Sequence, residues 1–209
     1  MRMHWKAPLA VALLMASAAG VAAQGLEVEV TPLLGGQFYL TDLPGSFELT
    51  DESGLPVTFD DAEIDGGLTV GGRTGLRFGN GLGIGATVLY SPTQLTEGSG
   101  AETDLGVWLY GMDVSYHALG PTAMARPFVV AGVGGKTYVL DGMDAETDLM
   151  WNVGGGIDVQ VHPRAVFRLE ARDYMSVFDP EVAGVEDEVQ HDIAVTAGLR
   201  FVFEPGRRR

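Results

Sequence analysis

Cysteine is missing altogether from the 209 residues. That excludes a disulfide framework, a thiolate metal centre and thiol catalysis. Cations are scarce: 13 lysines and arginines stand against 28 aspartates and glutamates, for a formal charge of −15. A chain of that sign lacks the cations with which nucleic-acid binders neutralise phosphates, so nucleic acid is excluded as a partner. Long apolar runs are scarce too. One exists, "APLAVALLMASAAGVAA", 17 residues spanning 7–23. It is shorter than the ~20 residues a helical membrane span needs. Arg2 and Lys6 precede it, and Val21 and Ala23 suit the −3 and −1 positions of a cut before Gln24. This order of features predicts a secretory signal at 1–23. Its removal leaves 11 basic and 28 acidic residues.

Glycine is abundant instead: its 30 residues are about twice the usual share of roughly 7%. From Gln24 onward the chain reads as eight alternating segments, at 26–40, 67–79, 82–91, 104–118, 127–139, 149–162, 165–177 and 191–203, with no helical periodicity. "VFRLEARDY" (166–174) shows the alternation well: Phe167, Leu169 and Ala171 face one way, and Arg168, Glu170 and Arg172 the other.

The connections alternate in length. "NG" (80–81), "GPTAMAR" (120–126) and "PR" (163–164) are short, whereas 41–66, 92–103, 140–148 and 178–190 are longer. In an up-and-down sheet this collects the short turns at one end and the long loops at the other. Charge divides the same way. The long connections, taken to Asp104 and Asp192, hold 21 of the 28 acidic residues and no lysine or arginine. Arg126 and Arg164 are assigned to turns.

One face of the segments is apolar, for example Leu82, Ile84, Val88, Tyr110, Met112, Val114, Val153, Val195 and Leu199. The opposite face is rich in glycine (Gly83, Gly85, Gly132, Gly134, Gly154, Gly156, Gly198). It also carries Glu29, Arg73, Arg77, Asp113, Lys136, Asp158, Arg168, Glu170, Arg172 and Arg200. A soluble lipocalin-like barrel would put the apolar face inside. Rows of glycine suit a water-facing strand surface poorly, but they suit the narrow lumen of eight strands. The expected fold is therefore all-β: an eight-stranded antiparallel up-and-down transmembrane β-barrel over 24–203, with a short polar tail at 204–209. The ten inward charges, six basic and four acidic, are expected to form a structural network that plugs the lumen. Tyr39, Tyr90, Trp108, Tyr116, Trp151, Phe178 and Phe203 lie near strand ends, where aromatic girdles belong.

The leader, the eight segments and the closing "HDIAVTAGLRFVF" together resemble the small eight-stranded outer-membrane β-barrels, the OmpA-type transmembrane domain and its porin-like relatives. The resemblance implies residence in the outer membrane. It also implies outer-membrane lipids and lipopolysaccharide as surroundings, and the outer-membrane assembly machinery as a folding partner. Its members include structural barrels, narrow solute channels and lipid-modifying enzymes.

Few residues suggest chemistry, and no catalytic residue, cofactor or metal ligand is assigned. Ser115 and His117 share a strand face and could form an activated nucleophile, but no carboxylate or oxyanion partner is apparent. Asp61, Glu63, Asp65 and Gly66 echo the start of a calcium loop. Gly72 then stands where a bidentate glutamate is required. Asp141, Asp144, Glu146 and Asp148 form a second acidic cluster. Divalent cations are thus expected only as loose partners of the acidic loops.

Overall fold

The computed structural model describes residues 26–40, 46–50, 56–60, 63–96, 100, 102–120, 123–140, 145–178 and 188–203. Residues 1–23, expected as a secretory signal, and 204–209, expected as a polar tail, lie outside them. All described elements are strands: β1 (Glu27–Tyr39), β2 (Ser46–Thr50), β3 (Pro56–Asp60), β4 (Glu63–Ile64), β5 (Gly67–Arg77), β6 (Leu82–Thr96), β7 (Glu102–His117), β8 (Ala125–Leu140), β9 (Glu146–His162), β10 (Ala165–Phe178) and β11 (Glu188–Phe203). Eight of them, β1 and β5 to β11, pair antiparallel with their neighbours, and β1 pairs with β11 to close the sheet. β2 and β3 form a separate hairpin, and β4 adds two paired residues to the loop end of β6.

Register fixes the geometry of closure. Stepping across the sheet from Glu29, the partners are Gly75, Gly85, Asp113, Gly132, Asn152, Tyr174 and Asp192, then Tyr39 back on β1. The circuit returns ten residues further along the strand. Such a stagger tilts the strands, by roughly 35–45° in barrels of this kind. Closure gives the backbone groups of the strands their partners, which a strand surrounded by lipid needs.

The strands run further toward the long loops than alternation alone suggests. β6 continues to Thr96 and β7 begins at Glu102, where the sequence pattern ends at 91 and begins at 104. Pro92 and the acidic residues look like terminators, yet Pro92 still pairs opposite Gly106 and Gln94 opposite Asp104. A strand with a partner on each side tolerates polar residues once it has left the apolar zone. At the other end the turn at 78–81 closes on Gly81, whose φ of +88° is a conformation that favours glycine. Its N–H donates to the Phe78 carbonyl at 3.1 Å.

The apolar face points outward. Ile84, Val88, Met112, Val114, Val133, Val153, Leu169, Val195 and Leu199 are all exposed on the outer wall. Phe38, Trp108 and Trp151 sit on that wall toward the loops, and Tyr116, Phe201 and Phe203 toward the turns. Trp108 packs on Tyr90 with ring centroids 4.6 Å apart. One girdle assignment needs correcting. Tyr39 faces inward, where the Lys136 ammonium lies 5.6 Å from its ring centroid, and its neighbour Phe38 takes the outer position. The side chain of Phe178 is outside the described set.

Candidate functional site

Alternation sends every second side chain of eight strands into a space barely wider than the side chains themselves. Glu29, Arg73, Arg77, Asp113, Lys136, Asp158, Arg168, Glu170, Arg172 and Arg200 all lie there, and all are buried. Eight of the ten form one closed circuit. Arg73 bridges Glu29 and Asp113, the latter at 2.5 Å. Arg172 bridges Asp113, at 3.2 Å, and Glu170. Arg168 joins Glu170 at 2.7 Å to Asp158 at 3.7 Å. Arg200 joins Asp158 at 2.5 Å to Glu29 at 3.4 Å and completes the ring. Four arginines and four carboxylates thus alternate, and the ring is formally neutral. The planar guanidinium, with five donors, is well suited to bridging two acids.

Glycine makes this packing feasible. A β-carbon on Gly85 would overlap the Arg73 guanidinium, and one on Gly154 would come within 2.9 Å of Arg172 Cγ. Gly75, Gly85 and Gly154 thus leave the room that Arg73 and Arg172 occupy.

Arg77 and Lys136 stand outside the ring. Arg77 lies at the turn end, where its Nε donates to Glu27 Oε2 at 2.9 Å. Lys136 lies at the loop end, with Nζ 2.5 Å from Asp192 Oδ2 and 3.3 Å from Gln190 Oε1. The same Gln190 oxygen accepts from the Tyr138 hydroxyl at 2.6 Å. Asp192, counted with the loop acids on sequence grounds, is a buried lumen residue. Arg126, assigned to a turn, lies in β8 and is buried as well.

Between the ring and the long loops the lumen changes character. Leu89, Leu95, Leu105, Val107, Leu109, Tyr138, Leu140, Met150 and Tyr174 fill it as one apolar layer. Where the two layers meet, a cavity of about 10 Å³ is lined by Thr87, Asp113, Asn152, Arg172 and Tyr174 among others, room for about one water.

His117 points into the lumen, where its Nε2 lies 2.7 Å from Asp158 Oδ2 and its ring 5.3 Å from that of Phe128. The carboxylate that no sequence pattern could supply is therefore Asp158. Ser115 is buried nearby, but no hydrogen bond joins it to His117 among the described residues. Of the calcium-like residues, Asp65 Oδ2 accepts from Thr96 Oγ1 at 3.1 Å and Gly72 sits within β5, in a strand and not a loop. Asp61, Asp141 and Asp144 lie outside the described residues.

A sequence profile described as "Outer membrane protein beta-barrel domain" matches residues 9–201, nearly the whole chain. The chain belongs to this family. It is an outer-membrane β-barrel, and its apolar outer wall is the lipid-facing one. No curated protein sequence matches it. Solved structures agree on the fold. Neisserial surface protein A is 15% identical with a TM-score of 0.57, covering 86% of this chain and 98% of that one. Outer membrane protein OprG of Pseudomonas aeruginosa is 14% identical with a TM-score of 0.57, covering 87% and 98%. The N-terminal barrel domain of Pseudomonas aeruginosa OprF is 14% identical with a TM-score of 0.51, covering 86% and 98%.

Proposed function

We propose that this outer-membrane barrel is a closed one, with a structural or surface-interaction role and neither conduction nor catalysis. One observation carries the reading: a neutral ring of eight charges abuts a packed apolar layer, with a cavity of only about 10 Å³ where they meet. A water path needs a continuous polar lining wide enough for solute, and either layer interrupts it. Asp158 holds His117 by Nε2, but no hydrogen bond joins Ser115 to the other ring nitrogen among the described residues, so the pair lacks the contact of an activated nucleophile. Planar-bilayer recording of the folded protein tests the proposal. No stable openings are expected; steady, large conductance would establish the narrow-channel reading instead.

The long loops face the cell exterior, as in barrels with short periplasmic turns. Their carboxylates meet the anionic phosphates of lipopolysaccharide, and we propose that calcium or magnesium, which favour oxygen ligands, bridges the two. Loop proteolysis with and without calcium tests this. Protection that needs both calcium and lipopolysaccharide supports bridging, and no effect of calcium refutes it.

A further inference from the structure

At the turn end of the lumen, beyond the ring, lies a second cavity of about 360 Å³, walled by the turns at 78–81 and 118–120. Its volume falls in the range of small-molecule sites, roughly 300–1,000 Å³. Arg77, Arg126 and His117 line it, and Glu27 is its one acid among the described residues. Glu27 is already held by Arg77, whose Nη1 stays buried without a partner.

Arg126 is the unusual group. Arg73, Arg77, Lys136, Arg168, Arg172 and Arg200 each touch a carboxylate. Arg126 is 4% exposed and makes no ion pair or hydrogen bond among the described residues, and its Nε is buried without a partner. Asp158 stands directly across from it on β9. That carboxylate is already engaged by His117, Arg200 and Arg168. A guanidinium does not deprotonate in proteins, so Arg126 remains a desolvated cation in need of a counterion. Its fork of donors matches a carboxylate or a phosphate.

We propose that the turn-end cavity is an anion site, in which Arg126, assisted by Arg77, binds the carboxylate or phosphate group of a small soluble molecule from the periplasmic side. The test follows the arginine Nε–H resonances of the full-length folded barrel in phosphatidylcholine nanodiscs, during titration with inorganic phosphate and separately with succinate. A saturable shift of the Arg126 resonance is expected with at least one of the two. Calorimetry on Arg126→Gln should show binding weakened about tenfold to a hundredfold, the range for losing a charge-assisted hydrogen bond. Arg164→Gln, in an exposed turn, should bind as the parent does. Heat-modifiable gel mobility reports that each variant is folded, and the titration of the parent chain stands without the variants. Absence of a saturable shift, or unchanged affinity in Arg126→Gln, would overturn the proposal. So would a shift that appears only when phosphatidylglycerol is added to the nanodisc, because the anion would then be a lipid headgroup.

Discussion

On the turn side of the lumen each arginine of the ring touches two carboxylates, and each carboxylate touches two arginines. On the loop side Lys136 forms an ion pair with Asp192 beside tyrosines, Gln190 and the apolar layer, and Asp148 stands opposite it on β9. Both arrangements bury charge inside the same wall, but they differ in what remains after one group is lost. In the ring every member has a second partner. In the loop-end pair, loss of Asp192 leaves the base only its cross-strand neighbour Asp148. Burying ion pairs adds little stability by itself, whereas breaking one is costly, so connectivity and not the number of charges decides how each half responds.

Asp192→Ala breaks this comparison most directly. It removes the ion-pair partner of buried Lys136, leaving Asp148 opposite it on β9, and should cost about 3–5 kcal/mol, read from urea unfolding in lipid vesicles by tryptophan fluorescence. The double replacement Lys136→Met with Asp192→Leu removes both charges and should restore stability to the parent level or above it. If the double variant were as weak as the single one, the pair would have a role other than charge balance. Leu109→Ala removes bulk from the apolar layer and should cost about 2–4 kcal/mol in the same assay. A near-zero cost would show that this layer is loosely packed or wet. Glu170→Gln opens the ring at one point, while Arg168 keeps Asp158 and Arg172 keeps Asp113. Its cost should be the smallest of the three, about 1–3 kcal/mol. A loss as large as that of Asp192→Ala would mean that the ring offers no redundancy.

The wall was far more legible than its filling. Strict alternation and the unequal connections suffice to place eight strands, and the parity of each strand tells inward from outward. Parity also marks lumen residues that lie close to strand ends. Tyr39 lies ten residues from Glu29, Asp192 eight from Arg200, and Arg126 ten from Lys136, so each shares a face with a recognised lumen residue. Tyr39 resembles a girdle aromatic, Asp192 a loop acid and Arg126 a turn residue because each lies near a strand end, where position and parity point to opposite faces. The closed ring and the apolar layer were not legible in this way. Both depend on which residues of different strands stand at the same height. That is set by the ten-residue stagger of closure, which no single strand records. Leu89 and Thr87 share a strand face, yet one belongs to the apolar layer and the other donates to Asp113 at 3.1 Å.

The pairing of β1 with β11 has a bearing on how the protein is made. These strands are the first and last of the barrel, and their ladder has a gap between the pairs Val30–Phe201 and Leu33–Gly198, where Pro32 brings no N–H. A nascent chain synthesised short of residue 203 has two strand edges and nothing to satisfy them. In hydrocarbon each unsatisfied backbone group costs several kcal/mol. Membrane residence is therefore an all-or-none commitment: no chain lacking β11 is a smaller version of this barrel, and the pairing of β11 with β1 is the step that makes residence in lipid stable.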